Sequence, residues 1–93
     1  MKKEGIFIEV WVVTYYNAIE GINRTNVFTS RNEAVANFDI GANEVIRFAV
    51  DELTDFRVSR NLNSITICDG EDDRAVAMCE VTKHAIVCGT MSM

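Results

Sequence analysis

Asp69-Gly70-Glu71-Asp72-Asp73 sets four carboxylates within five residues, a density that raises the question of a divalent cation. Calcium takes roughly six to eight oxygen ligands. The stretch lacks the alternating ligands and the distant closing glutamate of an EF-hand loop. It reads instead as a solvated hairpin turn with Asp-Gly at its centre, its charge available to a basic partner. Cys68, Cys79, His84 and Cys88 supply three thiols and an imidazole, a legitimate tetrahedral zinc set. No Cys-x-x-Cys pair is present, and on one strand Cys79 and His84 would point to opposite faces. Neither a metal nor any cofactor is expected. Nucleophilic catalysis needs a base beside the nucleophile and a group to orient it. His84 is the single histidine, and it lies in or at the end of an apolar strand. The chain has no Gly-rich phosphate loop, nucleophile elbow or HExxH sequence. A small enzyme or ligand sensor built on Cys79 or His84 is the third-ranked reading, and the expectation is a non-catalytic protein.

A second set of carboxylates belongs to a helix. Glu44, Phe48, Asp51, Glu52 and Asp55 recur at steps of three to four, off the apolar stripe. A charged face opposite an apolar one is what any solvated helix shows. This face is one-signed, with Arg47 as its nearby counterweight. Phe48 sits among the carboxylates, where a lone aromatic can anchor an interface. A rigid rod of carboxylates can stand in for a phosphate backbone in a basic groove. Glu44, Phe48, Asp51, Glu52 and Asp55, with Asp69, Glu71, Asp72 and Asp73, are therefore the candidate partner-binding residues.

The elements that must carry these residues begin with Ile6-Phe7-Ile8-Glu9-Val10-Trp11-Val12-Val13-Thr14-Tyr15-Tyr16, a β-branched and aromatic strand. Alternation puts Ile6, Ile8, Val10 and Val12 on one face and Phe7, Glu9, Trp11, Val13 and Tyr15 on the other. The aliphatic face suits a core. The aromatic face, interrupted by Glu9, suits a surface covered by a second protein, so Phe7, Trp11 and Tyr15 form a candidate self- or partner interface. Asn17 to Asn23 is a turn, and Arg24 to Thr29 is a second strand forming a hairpin with the first. Ser30-Arg31-Asn32-Glu33 is a capping box. Ala34, Val35, Phe38, Ala42, Val45, Ile46, Ala49, Val50, Leu53 and Phe56 then follow with helical period. One long helix is expected, kinked or briefly broken near Gly41, with two helices in line as the alternative. Ser59 to Asn63 reads as a polar connection, Ser64 to Cys68 as a strand, and Arg74 to about Val87 as another. The layout is α+β, ββαββ: a four-stranded antiparallel sheet with the helix on one face. A single domain spans 1–93, with 89–93 as a flexible tail.

Ninety-three residues allow one core. A net charge of -5 argues against direct nucleic-acid binding, which needs clustered Lys and Arg, and against anionic membranes. Met1-Lys2-Lys3 before an apolar run is superficially like a signal peptide. Glu9 and the missing small-residue cleavage site argue otherwise. A cytoplasmic protein with reduced thiols is expected.

In size, acidity and layout the whole chain resembles the small phage-encoded inhibitors of bacterial defence, including anti-CRISPR proteins. That resemblance carries no motif and transfers no residue role. It implies a non-catalytic inhibitor, in a bacterial host cell, of a basic nucleic-acid-binding protein such as a defence nuclease complex. The second-ranked reading is a homodimeric structural or adaptor module without nucleic-acid mimicry.

Overall fold

The computed structural model describes the backbone of residues 6–88 and the side chains of residues 8–86. The expected tail at 89–93 and the side chain of Phe7 lie outside the described residues. The fold is α+β, with strands β1 (Ile6–Asn17) and β2 (Ile22–Phe28), helix α1 (Arg31–Glu52), then strands β3 (Phe56–Arg60), β4 (Ser64–Asp69) and β5 (Ala75–Cys88). All pairings are antiparallel, in the order β2-β1-β5-β4-β3. The sheet has five strands where four were expected. The addition is β3, an exposed edge strand of Phe56-Arg57-Val58-Ser59-Arg60 whose polar alternation hides its character.

The longest and most apolar strands, β1 and β5, occupy the centre, paired from Ile6↔Cys88 to Asn17↔Ala77. Asn17, fully buried, closes the β1–β2 turn. Its Oδ1 accepts the N–H groups of Ile19 and Glu20 at 3.0 and 2.9 Å. Gly21 takes the positive φ of 71° that this turn requires.

α1 begins at Ser30, whose Oγ accepts the Glu33 N–H at 3.3 Å. It runs unbroken through Gly41, so the helix is single and the two-helix alternative is not realised. Gly41 is the point of closest approach to the sheet. A Cβ there would lie 2.5 Å from Cys79 Sγ. The helix stops at Glu52, short of the expected Phe56. Leu53 is extended and donates its N–H to Ala49 O, while Asp55 O accepts the Gly70 N–H at 3.0 Å. That bond ties the chain to the β4–β5 turn and releases Phe56 into β3.

The core joins Ala34, Phe38, Ala42, Val45, Phe48 and Ala49 of α1 to Val13, Tyr15, Ile65, Ile67, Ala77, Cys79 and Val81 of the sheet. Two expectations are corrected here. Phe48 is 7% exposed and belongs to the core, whereas Val50, placed in the stripe, is 65% exposed. The stripe is centred on Gly41, and Phe48 lies two turns beyond it on the same side. A glycine contributes no hydrophobicity to a pattern, so the stripe was placed off its true centre.

The faces of β1 are also reversed. Val13 and Tyr15 point into the core, Tyr15 at 5% exposed, and Trp11 packs against its rim. The surface stripe of Trp11 and Tyr15 therefore does not exist. Glu9 suggested a wet face because β1 outruns the helix-covered zone. Beyond it, Glu9 meets Lys83 at 3.2 Å in a two-stranded arm. The opposite face, with Ile8, Val12, Tyr16, Val27, Met78 and Ile86, has no helix over it among the described residues; Val10 is shielded there. Among the described residues, no helix is long and apolar enough to cross a membrane.

Candidate functional site

The carboxylates converge on the end of the sheet where β1 finishes and β5 starts. Asp51 and Glu52 are exposed on the last turn of α1, which contains no basic residue. Helix C-termini carry partial negative charge and favour Lys or Arg there. Asp55 is exposed in the α1–β3 loop, so it is not a helical residue as expected. A side chain at Gly70 would collide with the Asp55 carboxylate, and this close approach fixes the acidic turn beside the helix end.

Within the turn, the acids are partly occupied. Asp69 Oδ1 accepts the Glu71 N–H at 2.9 Å, and Asp72 Oδ1 accepts the Arg74 N–H at 3.3 Å. Asp73 pairs with Arg57 and sits at φ 59°, a left-handed conformation that Asp tolerates. Glu71 is exposed. Among the described residues, no group of three or more His, Cys, Asp or Glu side chains is placed to hold a metal ion.

Beside the helix end lies a cleft of about 500 Å³. Glu20, Glu44, Asp51 and Glu52 line it together with Tyr15, Phe48, Ile40, Asn43 and Arg47. Glu44 is also tied to Arg24, Oε1 to Nη2 at 3.0 Å, and that guanidinium stacks 4.2 Å above the Tyr15 ring. Such an exposed pair adds little stability, but it fixes where the Glu44 charge stands. Burial pushes the Tyr15 hydroxyl above its usual range, against the hydrogen bond from Asn17.

Glu20 escaped the sequence reading. It lay in a turn with no periodicity, and the buried Asn17 three residues before it was the available signal. Phe48 lines the cleft from within the core and is not an exposed anchor. Tyr15 likewise offers no free face, and Trp11 is half-buried against the core.

Among the described residues, the thiols and the imidazole do not converge. Cys79 is fully buried beneath Gly41, and desolvation pushes its thiol up to about 11. His84 is exposed on the opposite face of β5, its Nε2 2.9 Å from Thr82 Oγ1. Cys68 is half-buried in β4. Cys79 and His84 thus form no nucleophile–base pair. The side chain of Cys88 lies outside the described residues.

The geometry collects negative charge on one end of the sheet. That arrangement can bind cations or basic side chains from outside. Comparison with protein-family models, with curated proteins and with solved structures finds no match to this chain.

Proposed function

We propose that this protein is a non-catalytic acidic binding protein whose carboxylate-rich end docks on a basic, nucleic-acid-binding protein and inhibits it. The observation that carries this reading is the last turn of α1. Asp51 and Glu52 stand there against the helix dipole, with no basic residue in the turn. Residues that oppose local stability in this way are often retained for function. Glu44 two turns earlier on α1, Glu20 beside the helix, and Asp55 with the acidic turn beyond it extend the same negative surface. Its rigidity comes from the turn's own hydrogen bonds and from the Gly70–Asp55 contact. Opposite charge on the partner speeds the encounter and makes it salt-dependent.

The test is capture of partners from a bacterial lysate by the full chain at low and high salt, with identification by mass spectrometry. Basic nucleic-acid-binding proteins should be retained at low salt and released at high salt. The double variant Asp51→Lys, Glu52→Lys should lose them. Retention of the same partners by the charge-reversed chain would reject the reading.

A further inference from the structure

At the other end of the sheet, β1 has an unfinished edge. β2 stops at Phe28, opposite Trp11, so Ile6–Val10 pair with β5 on one side and with no described strand on the other. A sheet edge of this kind presents unpaired N–H and C=O groups and acts as a template for another strand. The helix does not cover this arm. Ile8 and Ile86, register partners across it, are 41% and 48% exposed. Two strands alone are marginally stable in water. The arm also contributes to an elongated molecule, 62 × 24 × 21 Å, with a radius of gyration of 17.2 Å. A compact chain of this length has a radius near ~12 Å.

We infer that Ile6–Val10 pairs antiparallel with the same segment of a second copy, about a two-fold axis through Ile8. Three observations single out a copy of this chain as the occupant. The first is the fit of the edge to itself. Antiparallel self-pairing sets Ile8 against Ile8 and Ile6 against Val10, and the copy's strand runs end to end with β2 along the same edge of β1. Such an isologous contact closes as a dimer.

The second is charge. The acidic end lies at the other terminus of the β1–β5 ladder, about 30 Å from Ile8 at the usual rise per residue. The two-fold at Ile8 therefore holds two chains of net charge -5 with their acidic ends apart. Glu9, inside the segment, is already balanced by Lys83 of its own chain. The third is the competing edge. On the outer side of β5 beyond Glu80, the Val81 N–H is already occupied by Asn63 O at 2.9 Å. This contact uses the end remote from the proposed partner site, so either can fail without the other.

The test is the mass of the full chain in solution, by sedimentation equilibrium across micromolar concentrations. The parent chain should reach twice the monomer mass. Like charges directly opposite destabilise a strand pair, so Ile8→Lys and Ile8→Glu should each weaken association tenfold or more. Mixed in equal amounts, the two variants should recover a heterodimer, because residue 8 meets residue 8. Val27→Lys, on the same face but outside the arm, should leave association unchanged. Ile8 lies outside the core, so the variants should keep the parent's circular dichroism. If either unfolds, the milder Ile8→Ser should still weaken association several-fold. A parent that stays monomeric overturns the inference. So does an Ile8→Lys variant that associates normally, or a mixture that fails to pair.

Discussion

Gly41 and Cys79 share one contact, and the helix sits where it does because neither has more side chain. By helix propensity alone, Gly41→Ala would stabilise α1 by about 1 kcal/mol. The new methyl would instead press on Cys79 Sγ, 2.5 Å away in a fully buried site. Overpacking of that kind costs ~1–3 kcal/mol, so urea denaturation should find Gly41→Ala destabilised. Adding Cys79→Ala should recover part of the loss, giving a favourable coupling in the double-mutant cycle. The same thiol has a pH signature. Its folded pKa, about 11, lies above the value of about 8.5 for a free thiol. The folded chain thus holds a proton that the unfolded chain releases. Stability should be fully present below about pH 8.5 and fall as the pH rises towards about 11. Tyr15, also raised, adds to the fall with the same sign. A melting series against pH should show a shallower alkaline slope for Cys79→Ala.

At the scale of the element, α1 combines a good start with a poor finish. Ser30 caps its N-terminus and Glu33 is acidic in the first turn, in accord with the dipole, whereas Asp51 and Glu52 oppose it at the other end. Replacing both by lysine should therefore raise helix stability, by about 0.3–1 kcal/mol for each exposed position at low salt. The same double variant should slow association with the proposed basic partner and flatten its salt dependence. A melting curve and a salt series of association rates separate the two effects. A variant both less stable and still fast-binding would contradict the assignment of this turn. The periodicity of α1 was legible in its sequence, and so were Ala34, Phe38, Ala42, Val45 and Ala49 of its buried stripe, but the place of Phe48 was not. Gly41 marks the centre of the buried stripe by having no side chain, and apolar Val50 lies outside it. The missed β3 has a related cause. Phe56 keeps step with the helix pattern, but the helix ends before Leu53 and Phe56 pairs with Asp69 of β4.

For the whole molecule, the choice of sheet face has the largest consequence. Tyr15 and Tyr16 are adjacent in sequence, one at the core and one on the uncovered face. Tyr15→Ala should cost about 3–5 kcal/mol, the range for truncating a buried aromatic. Tyr16→Ala should cost less than about 1 kcal/mol, and a denaturant titration of both would check the difference. An equal cost for the two would mean that the helix covers the other face. The face assignment also moves the candidate apolar contact surface from Trp11 and Tyr15 to the Ile8 end of β1. Two poles result, an acidic end around Asp51 and Asp55 and a strand arm around Ile8.

The strands β1, β4 and β5, the cap at Ser30, the long helix and the acidic turn were all determined locally. Alternation, helical period, capping and turn chemistry depend on neighbours within a few residues, and those neighbours are in the sequence. The burial of Tyr15, the place of Phe48, the existence of β3 and the meeting of Glu20 with Asp51 were not. β1 is apolar on both faces, so its own residues cannot say which face the helix takes. Pairing decides it: Val13 lies opposite Val81 and Tyr15 opposite Cys79, while the other face sets Thr14 opposite Glu80. With Ile65 and Ile67 added from β4, only the first face is apolar enough to hold the helix, and that sum exists only once strands distant in sequence are side by side.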